Sequence, residues 1–245
     1  MIHSPGQHLT HPLSVFDRIY IINLASREDR RKETRAQLEN IGIGIPYSDV
    51  EFFEATRPDS PGEFPSVGAR GCFYSHLGVL RDAQEKKYSS ILILEDDLNF
   101  SNDFLNRYVD IFHDLQEQSW GFFYGGYRID SEVELHSLGC VLVQPADSVG
   151  CAHFLALRAP AISIAADQLD TMSKRAAGDA RGGPMHVDGA YCWVRSSNPE
   201  LNTFIANPEL GYQRSSRSDI YKIRWFDRLP LLKTVVATLR KFRNF

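Results

Sequence analysis

The chain is poor in cysteine, has no long apolar run and shows no internal repeat, and each shortage removes a class of protein. Cys72, Cys140, Cys151 and Cys192 are the four cysteines in 245 residues, far apart and without a C-x-x-C pair. Zinc-ligand spacing and a secreted disulfide framework are both missing, so the four read as reduced core thiols. No apolar stretch approaches the roughly 18–20 residues that a membrane span requires. Residues 1–13 lack a basic region followed by an apolar run, so no signal peptide is read and a cytoplasmic location is the expectation. There is no G-x-x-x-x-G-K-[ST] loop and no nucleophilic Ser or Cys motif. A net charge of −4 gives no electrostatic reason to expect nucleic acid as a partner.

What remains is ordinary globular composition, 43% hydrophobic and 24% charged, enough for one large α/β domain or two small ones. The charge is unevenly spread. Residues 221–245 hold seven Lys/Arg and one acid, Asp227, a net +6, against 20 basic and 30 acidic residues, −10, elsewhere. In that segment Leu232, Val235, Val236, Leu239 and Phe242 recur at helical spacing among Lys233, Arg240, Lys241 and Arg243. A basic amphipathic helix of this kind suits an anionic membrane surface, or equally an acidic face of its own domain.

The most informative stretch is 90–98, S-I-L-I-L-E-D-D-L. Four aliphatic residues in a row read as a strand buried on both faces. Carboxylates cannot follow it into the core, so the strand emerges at Glu95 and the acids stand at its carboxyl end. In open α/β sheets ligands bind at that edge. A hard divalent cation, Mg²⁺ or Mn²⁺, would relieve the repulsion among three acids and bind phosphate oxygens. A solvated acidic turn is the plainer reading.

Other elements follow in order. Residues 1–13 read as a flexible segment with His3, His8 and His11 in solvent. Residues 18–24 form a first strand, and Ser26 with Asp29 resembles a capping box opening a helix that runs to about Asn40. Arg27, Arg30 and Arg31 in its first turn would welcome an anion, or belong to a solvated helix face. Residues 50–55 form a second strand, and 57–71, with three prolines and three glycines, a long loop of the kind that is often functional. Residues 71–87 are helical, with His76 on an apolar face, a core histidine or a binding residue. Helices at 101–118 and 160–172, short strands at 120–127, 138–143, 152–157 and 203–206, a flexible 176–184 and an apolar 187–194 carrying Asp188 complete the reading.

Six segments in order, I-Y-I-I-N-L-A-S-R-E-D-R-R (19–31), G-C-F-Y-S-H-L (71–77), I-L-I-L-E-D-D-L (91–98), V-G-C-A-H-F-L-A-L-R-A-P-A (149–161), H-V-D (186–188) and N-P-E-L-G-Y-Q-R-S-S-R-S-D-I (207–220), resemble glycosyltransferase family 25, the lipopolysaccharide-type galactosyltransferases related to collagen galactosyltransferases. The resemblance covers roughly 19–220. It departs at Cys151, where many members have Thr after Gly, a change that bears on a hydroxyl contact and not on the fold.

The resemblance implies a single GT-A-like α/β domain over 14–220, with a mixed, mainly parallel central sheet flanked by helices. It implies a UDP-sugar donor, usually UDP-galactose, and inverting transfer to a glycan, lipid-linked saccharide or hydroxylysine hydroxyl. Glu95-Asp96-Asp97 stands where that fold keeps its metal motif, which makes Asp97 and Glu95 the expected ligands of Mn²⁺ or Mg²⁺. The expected donor-binding set is Asn23, Leu24, Arg27, Arg30, His76, Glu95 and Asp96. Asp188, an acid in an apolar segment, is the expected general base. Two other classes stay open: a degenerate nucleotide-sugar or glycan-binding module of the same fold, and a metal-dependent phosphohydrolase or nucleotidyltransferase.

Overall fold

The structure is a computed structural model that describes residues 11–129 and 138–214. It opens with β1 (Arg18–Asn23), α1 (Glu28–Asn40), β2 (Val50–Glu54), α2 (Val67–Glu85) and β3 (Ser90–Glu95). Then come β4 (Leu98–Phe100), α3 (Phe104–Glu117), β5 (Phe122–Ile129), β6 (Gly139–Val143) and β7 (Val149–Arg158). The order ends with α4 (Ala161–Ser173), α5 (Val187–Ser197), β8 (Thr203–Asn207) and β9 (Gly211–Gln213).

Seven strands form one sheet in the order β2-β1-β3-β7-β5-β8-β6. The β1–β2, β1–β3 and β5–β8 pairs are parallel, while β7 and β6 run against their neighbours. Five strands therefore point one way and two the other, the mixed and mainly parallel sheet expected from the sequence.

Side-chain alternation sorts the core into two layers. Tyr20, Ile22, Ile91 and Ile93 face a cluster with Phe73, Leu77 and Leu80 of α2, Leu169 of α4 and Tyr191 of α5. Ile19, Ile21, Leu92 and Leu94 face the opposite cluster, with Leu38 of α1 and Ile111, Phe112 and Leu115 of α3. The period of two along β1 and β3 thus lands on helices both ways, which is why these strands are apolar throughout. Ile91–Leu94 are all at most 1% exposed, a burial of roughly 1.5–3 kcal/mol for each side chain.

The chain leaves β1 through α1 to reach β2 on one side, then returns through α2 to β3 on the other. Helices α1 and α2 lie on opposite faces. The carboxyl ends of β1 and β3 therefore flank a topological switch point, where a crevice opens between the starts of two helices.

Several local readings are corrected. Ser26 does not cap α1; Arg27 occupies the cap position with no side-chain cap bond, and its guanidinium holds Asp29 at 2.8–3.0 Å. The acid expected on the backbone is drawn to the arginine instead. Helix α2 starts four residues before the expected 71, because Ser66 accepts from the Ala69 amide at 3.0 Å and caps it. Gly68 and Gly71 thus lie inside a helix, and Gly71 is required there because a Cβ would stand 2.7 Å from the Thr56 carbonyl. His11 is not solvated: it is 4% exposed, with Nε2 2.9 Å from Asp49, and Leu13 is fully buried. His3, His8 and the expected helix over 221–245 lie outside the described residues.

Gly126 of β5 marks the tightest approach between the sheet and the small β4–β9 ribbon. A Cβ there would meet the Gly211 carbonyl at 2.2 Å and the His153 ring at 2.4 Å. Backbone cannot yield cheaply, so Gly126→Ala is expected to cost about 1–3 kcal/mol or more. Gly44→Ala, with nothing within 4 Å of the added methyl, is the neutral control. Thermal melting of the two variants checks this, and equal midpoints would contradict it.

Candidate functional site

A cleft of about 510 Å³ lies at the switch point. Its walls are the end of β1 (Ile22, Leu24), the start of α1 (Arg27, Arg30), the chain after β2 (Ala55 to Pro58), the start of α2 (Val67 to Ser75) and the acids after β3 (Glu95, Asp96, Asp97). Parallel strands end here, so both helices begin here. The first turn of α2 carries no acid, which leaves its partial positive charge open to an anion. Arg27 and Arg57 stand on the same rim, Arg57 reaching the Ser26 hydroxyl at 3.4 Å.

The three consecutive acids do not act as one cluster. Asp96 turns inward: its carboxylate accepts from Asn23 Nδ2 and Arg30 Nη1, each at 2.8 Å. Its carbonyl accepts from the Thr34 hydroxyl at 3.0 Å and from Arg214 Nη2 at 2.8 Å. Burial still outweighs these bonds and raises the carboxyl above its ordinary value.

Asp97 turns the other way. It is 6% exposed and accepts weakly from Gln213 Nε2 at 3.3–3.4 Å, with Arg30 Nη1 3.7 Å off. Burial first, then the Glu95 charge, lifts its pKa to about 7. The Arg214 amide ties down the Asp97 carbonyl at 2.6 Å.

Glu95 faces α2, where His76 Nε2 lies 3.4 Å and Cys72 Sγ 3.8 Å from Oε1. Burial alone would raise Glu95, but the His76 hydrogen bond overrides it and holds the group below its ordinary range. His76 Nδ1 in turn meets the Tyr191 hydroxyl of α5 at 3.2 Å. The Cys72 thiol is pushed well up by burial and then by the charges of Glu95 and Asp188.

Of the expected site residues, Leu24, Arg27, Arg30, Glu95, Asp96 and Asp97 line the cleft, and Asn23, His76 and Asp188 do not. Asn23 is buried and gives its amide to Asp96, so it shapes the site through that residue. His76 is completely buried behind Glu95, which stands between it and the cleft. Asp188 sits in the first turn of α5, where Oδ1 accepts from the Gly189 amide at 2.9 Å and Oδ2 lies 3.5 Å from the Cys151 amide. Arg181 is engaged with Asp179 at 2.9 Å and not with Asp188. Cys151 holds φ at +69°, a left-handed conformation uncommon for a residue with a side chain and a form of strain that clusters at functional sites.

Sequence reasoning missed Cys72, Arg57 and Arg214. Cys72 was read as a core thiol, and its position four residues before His76 on one helix was the available signal. No local pattern could have shown that Arg214, far along the chain, braces the Asp96-Asp97 turn.

Three comparisons bear on the chain as a whole. The sequence model of Glycosyltransferase family 25 (LPS biosynthesis protein) matches residues 16–138. Procollagen galactosyltransferase 1-B of Xenopus laevis is 26% identical over 147 residues, 51% of this chain and 24% of that protein. Inactive glycosyltransferase 25 family member 3 of Homo sapiens is 26% identical over 131 residues, 46% of this chain and 22% of that protein. The matches thus span about a quarter of those relatives' length. Among solved structures, a glycosyltransferase involved in the glycosylation of the major capsid of PBCV-1 covers 81% of this chain and 94% of that one, at 12% identity and a TM-score of 0.48. Among the described residues no helix is long and apolar enough to cross a membrane.

The two aspartates should respond oppositely to substitution. Asp96→Ala removes the buried carboxylate to which Arg30 and Asn23 both donate and should cost about 3–5 kcal/mol. Asp97 has a folded pKa of about 7 against an ordinary 3.8, so the folded state holds the extra proton between those values. Stability therefore falls as pH rises from about 4 to about 7. In chelator, Asp97→Asn should melt above the wild type at pH 8 and converge with it near pH 4. A pH-independent difference would contradict the assignment.

Proposed function

The chain belongs to glycosyltransferase family 25, and from that premise we propose that it transfers a hexose, in the first instance galactose, from a UDP-sugar to a glycan or lipid-linked saccharide hydroxyl with inversion. The observation that carries this reading is the switch-point cleft, which sets an acid-free helix N-terminus and two arginines opposite a buried, poorly compensated carboxylate. A diphosphate would suit the first, and a hard cation held by Asp97 would suit the second.

Mg²⁺ or Mn²⁺ suits the donors here, which are carboxylate oxygens. Asp97 would be its principal ligand, with Glu95 beside it. When bound, the ion supplies neutralisation of the UDP leaving group. Arg27 and Arg57 would bind diphosphate oxygens, and Arg30 would hold the acidic turn in place while adding positive charge. The acceptor oxygen attacks the anomeric carbon as its bond to the diphosphate breaks, and the acceptor proton passes to Asp188 as general base. Support for Asp188 is its nearness to Cys72, on whose thiol its charge acts, and to the strained Cys151. A cell-surface glycan such as lipopolysaccharide is the acceptor class we favour. The basic segment 221–245 would hold the protein at the anionic inner face of the membrane, in keeping with a lipid-linked acceptor.

A second reading has its own support, since some of the relatives are named as inactive. In that case the cleft binds UDP-sugar without transferring it.

UDP release from a panel of UDP-sugars, with Mn²⁺ and then with EDTA, tests the proposal. Metal-dependent release from one donor is expected, reduced at least about a hundredfold in Asp97→Asn. Turnover near wild type in that variant would sink the metal role. A rise in melting temperature with UDP, but no release from any donor even with candidate acceptors, would favour the binding module.

A further inference from the structure

We propose that Cys72, His76 and Glu95 form a binding site for a thiophilic divalent cation of the Zn²⁺ class, next to the hard-cation position at Asp97 and sharing only Glu95 with it. Among the described residues this is the one set of three ligand-type side chains whose donor atoms all lie within 4.8 Å of one another. Cys72 and His76 stand four residues apart on α2 and so share a helix face. Glu95 approaches from the end of β3.

The spacing fits. A tetrahedral zinc ion with bonds of about 2.3 Å to sulfur and 2.0–2.1 Å to nitrogen and oxygen sets a sulfur and an oxygen ligand about 3.5 Å apart. By the same geometry it sets a nitrogen and an oxygen about 3.3 Å apart. The corresponding separations here are 3.8 Å for Cys72 Sγ to Glu95 Oε1 and 3.4 Å for His76 Nε2 to the same oxygen. Those two pairs need to close by no more than a few tenths of an ångström, and all three donor atoms lie within 4.8 Å of one another.

The supporting contact is also of the right kind. His76 Nδ1 meets the Tyr191 hydroxyl at 3.2 Å, which fixes the ring and presents Nε2 to Glu95. Outer partners of this sort orient histidines that bind metal. Cys72 and Glu95 line the cleft, so an ion can enter from it. Three protein ligands leave one position for water or an incoming oxygen. The mixed sulfur, nitrogen and oxygen donors select Zn²⁺ or Co²⁺ over Mg²⁺, whereas Asp97 offers oxygen alone.

Co²⁺ is the probe, added to the reduced, metal-free full chain. Wild type should take up one equivalent at this site, with a sulfur-to-cobalt charge-transfer band that Zn²⁺ bleaches. Cys72→Ser should lose the band, and His76→Gln should weaken binding at least tenfold. Asp97→Asn, Cys151→Ser and Cys192→Ser should keep it. Melting in the absence of metal checks that each variant is folded. Absence of the band in wild type, its survival in Cys72→Ser, or its loss in Asp97→Asn would overturn the proposal. Because the readout needs no donor or acceptor, it stands or falls apart from glycosyl transfer.

Discussion

Three consecutive carboxylates at the end of a buried strand cannot all be compensated in the same way, and much of this structure is the consequence. β3 is sealed by helices on both faces, so its acids emerge at a strand end where Asp96 and Asp97 are still at most 7% exposed. Each finds a different solution. Glu95 is held by a histidine, Asp96 by an arginine and an asparagine, and Asp97 by little more than a long contact to Gln213. The Asp96–Arg30 pair matters most, because it joins the start of α1 to the end of β3 through a buried bond of 2.8 Å. Losing either partner strands a charge in the interior. Thr34 and Arg214 fasten the same turn by its backbone, so the direction in which Asp97 and Glu95 diverge is fixed by Asp96.

The sheet topology gives this turn its function. Strand order alone places the carboxyl ends of β1 and β3 beside each other with α1 and α2 on opposite faces. Helix starts and arginines therefore line the same cleft as the acids of β3. A ligand that is itself anionic and travels with a cation meets complementary charge there.

The fold was largely readable because β1 and β3 are apolar without alternation, a pattern that only a sheet covered on both faces satisfies. The cleft was half readable. The run Glu95-Asp96-Asp97 marked the strand end, and the arginines after β1 marked a helix start. The separate tasks of those residues were hidden, since sequence adjacency says nothing about which neighbour a carboxylate will turn toward. Arg30 and Asp96 both looked like donor-binding residues, yet they satisfy each other. His76 looked like either a core histidine or a binding residue, and it is a buried histidine that positions Glu95. Ser26 failed as a cap because the helix begins one residue later than a Ser26 cap requires, with Arg27 at the cap position. The ribbon of β4 and β9, only three residues a strand, carried no periodic signal at all.

Asp97 shows how stability and function are set against each other at this strand end. A carboxylate whose pKa lies near 7 lowers the stability of the folded chain at and above neutral pH. Asparagine or a hydrophobic residue would remove that penalty. The cation-binding role proposed for Asp97 would need that charge, since a neutral side chain could not hold the ion. Asp96 gives no such indication, because its charge is already used within the fold. The contrast separates the acid that builds the site from the acid that is available to a ligand, and it does so from compensation alone, before any substrate is considered.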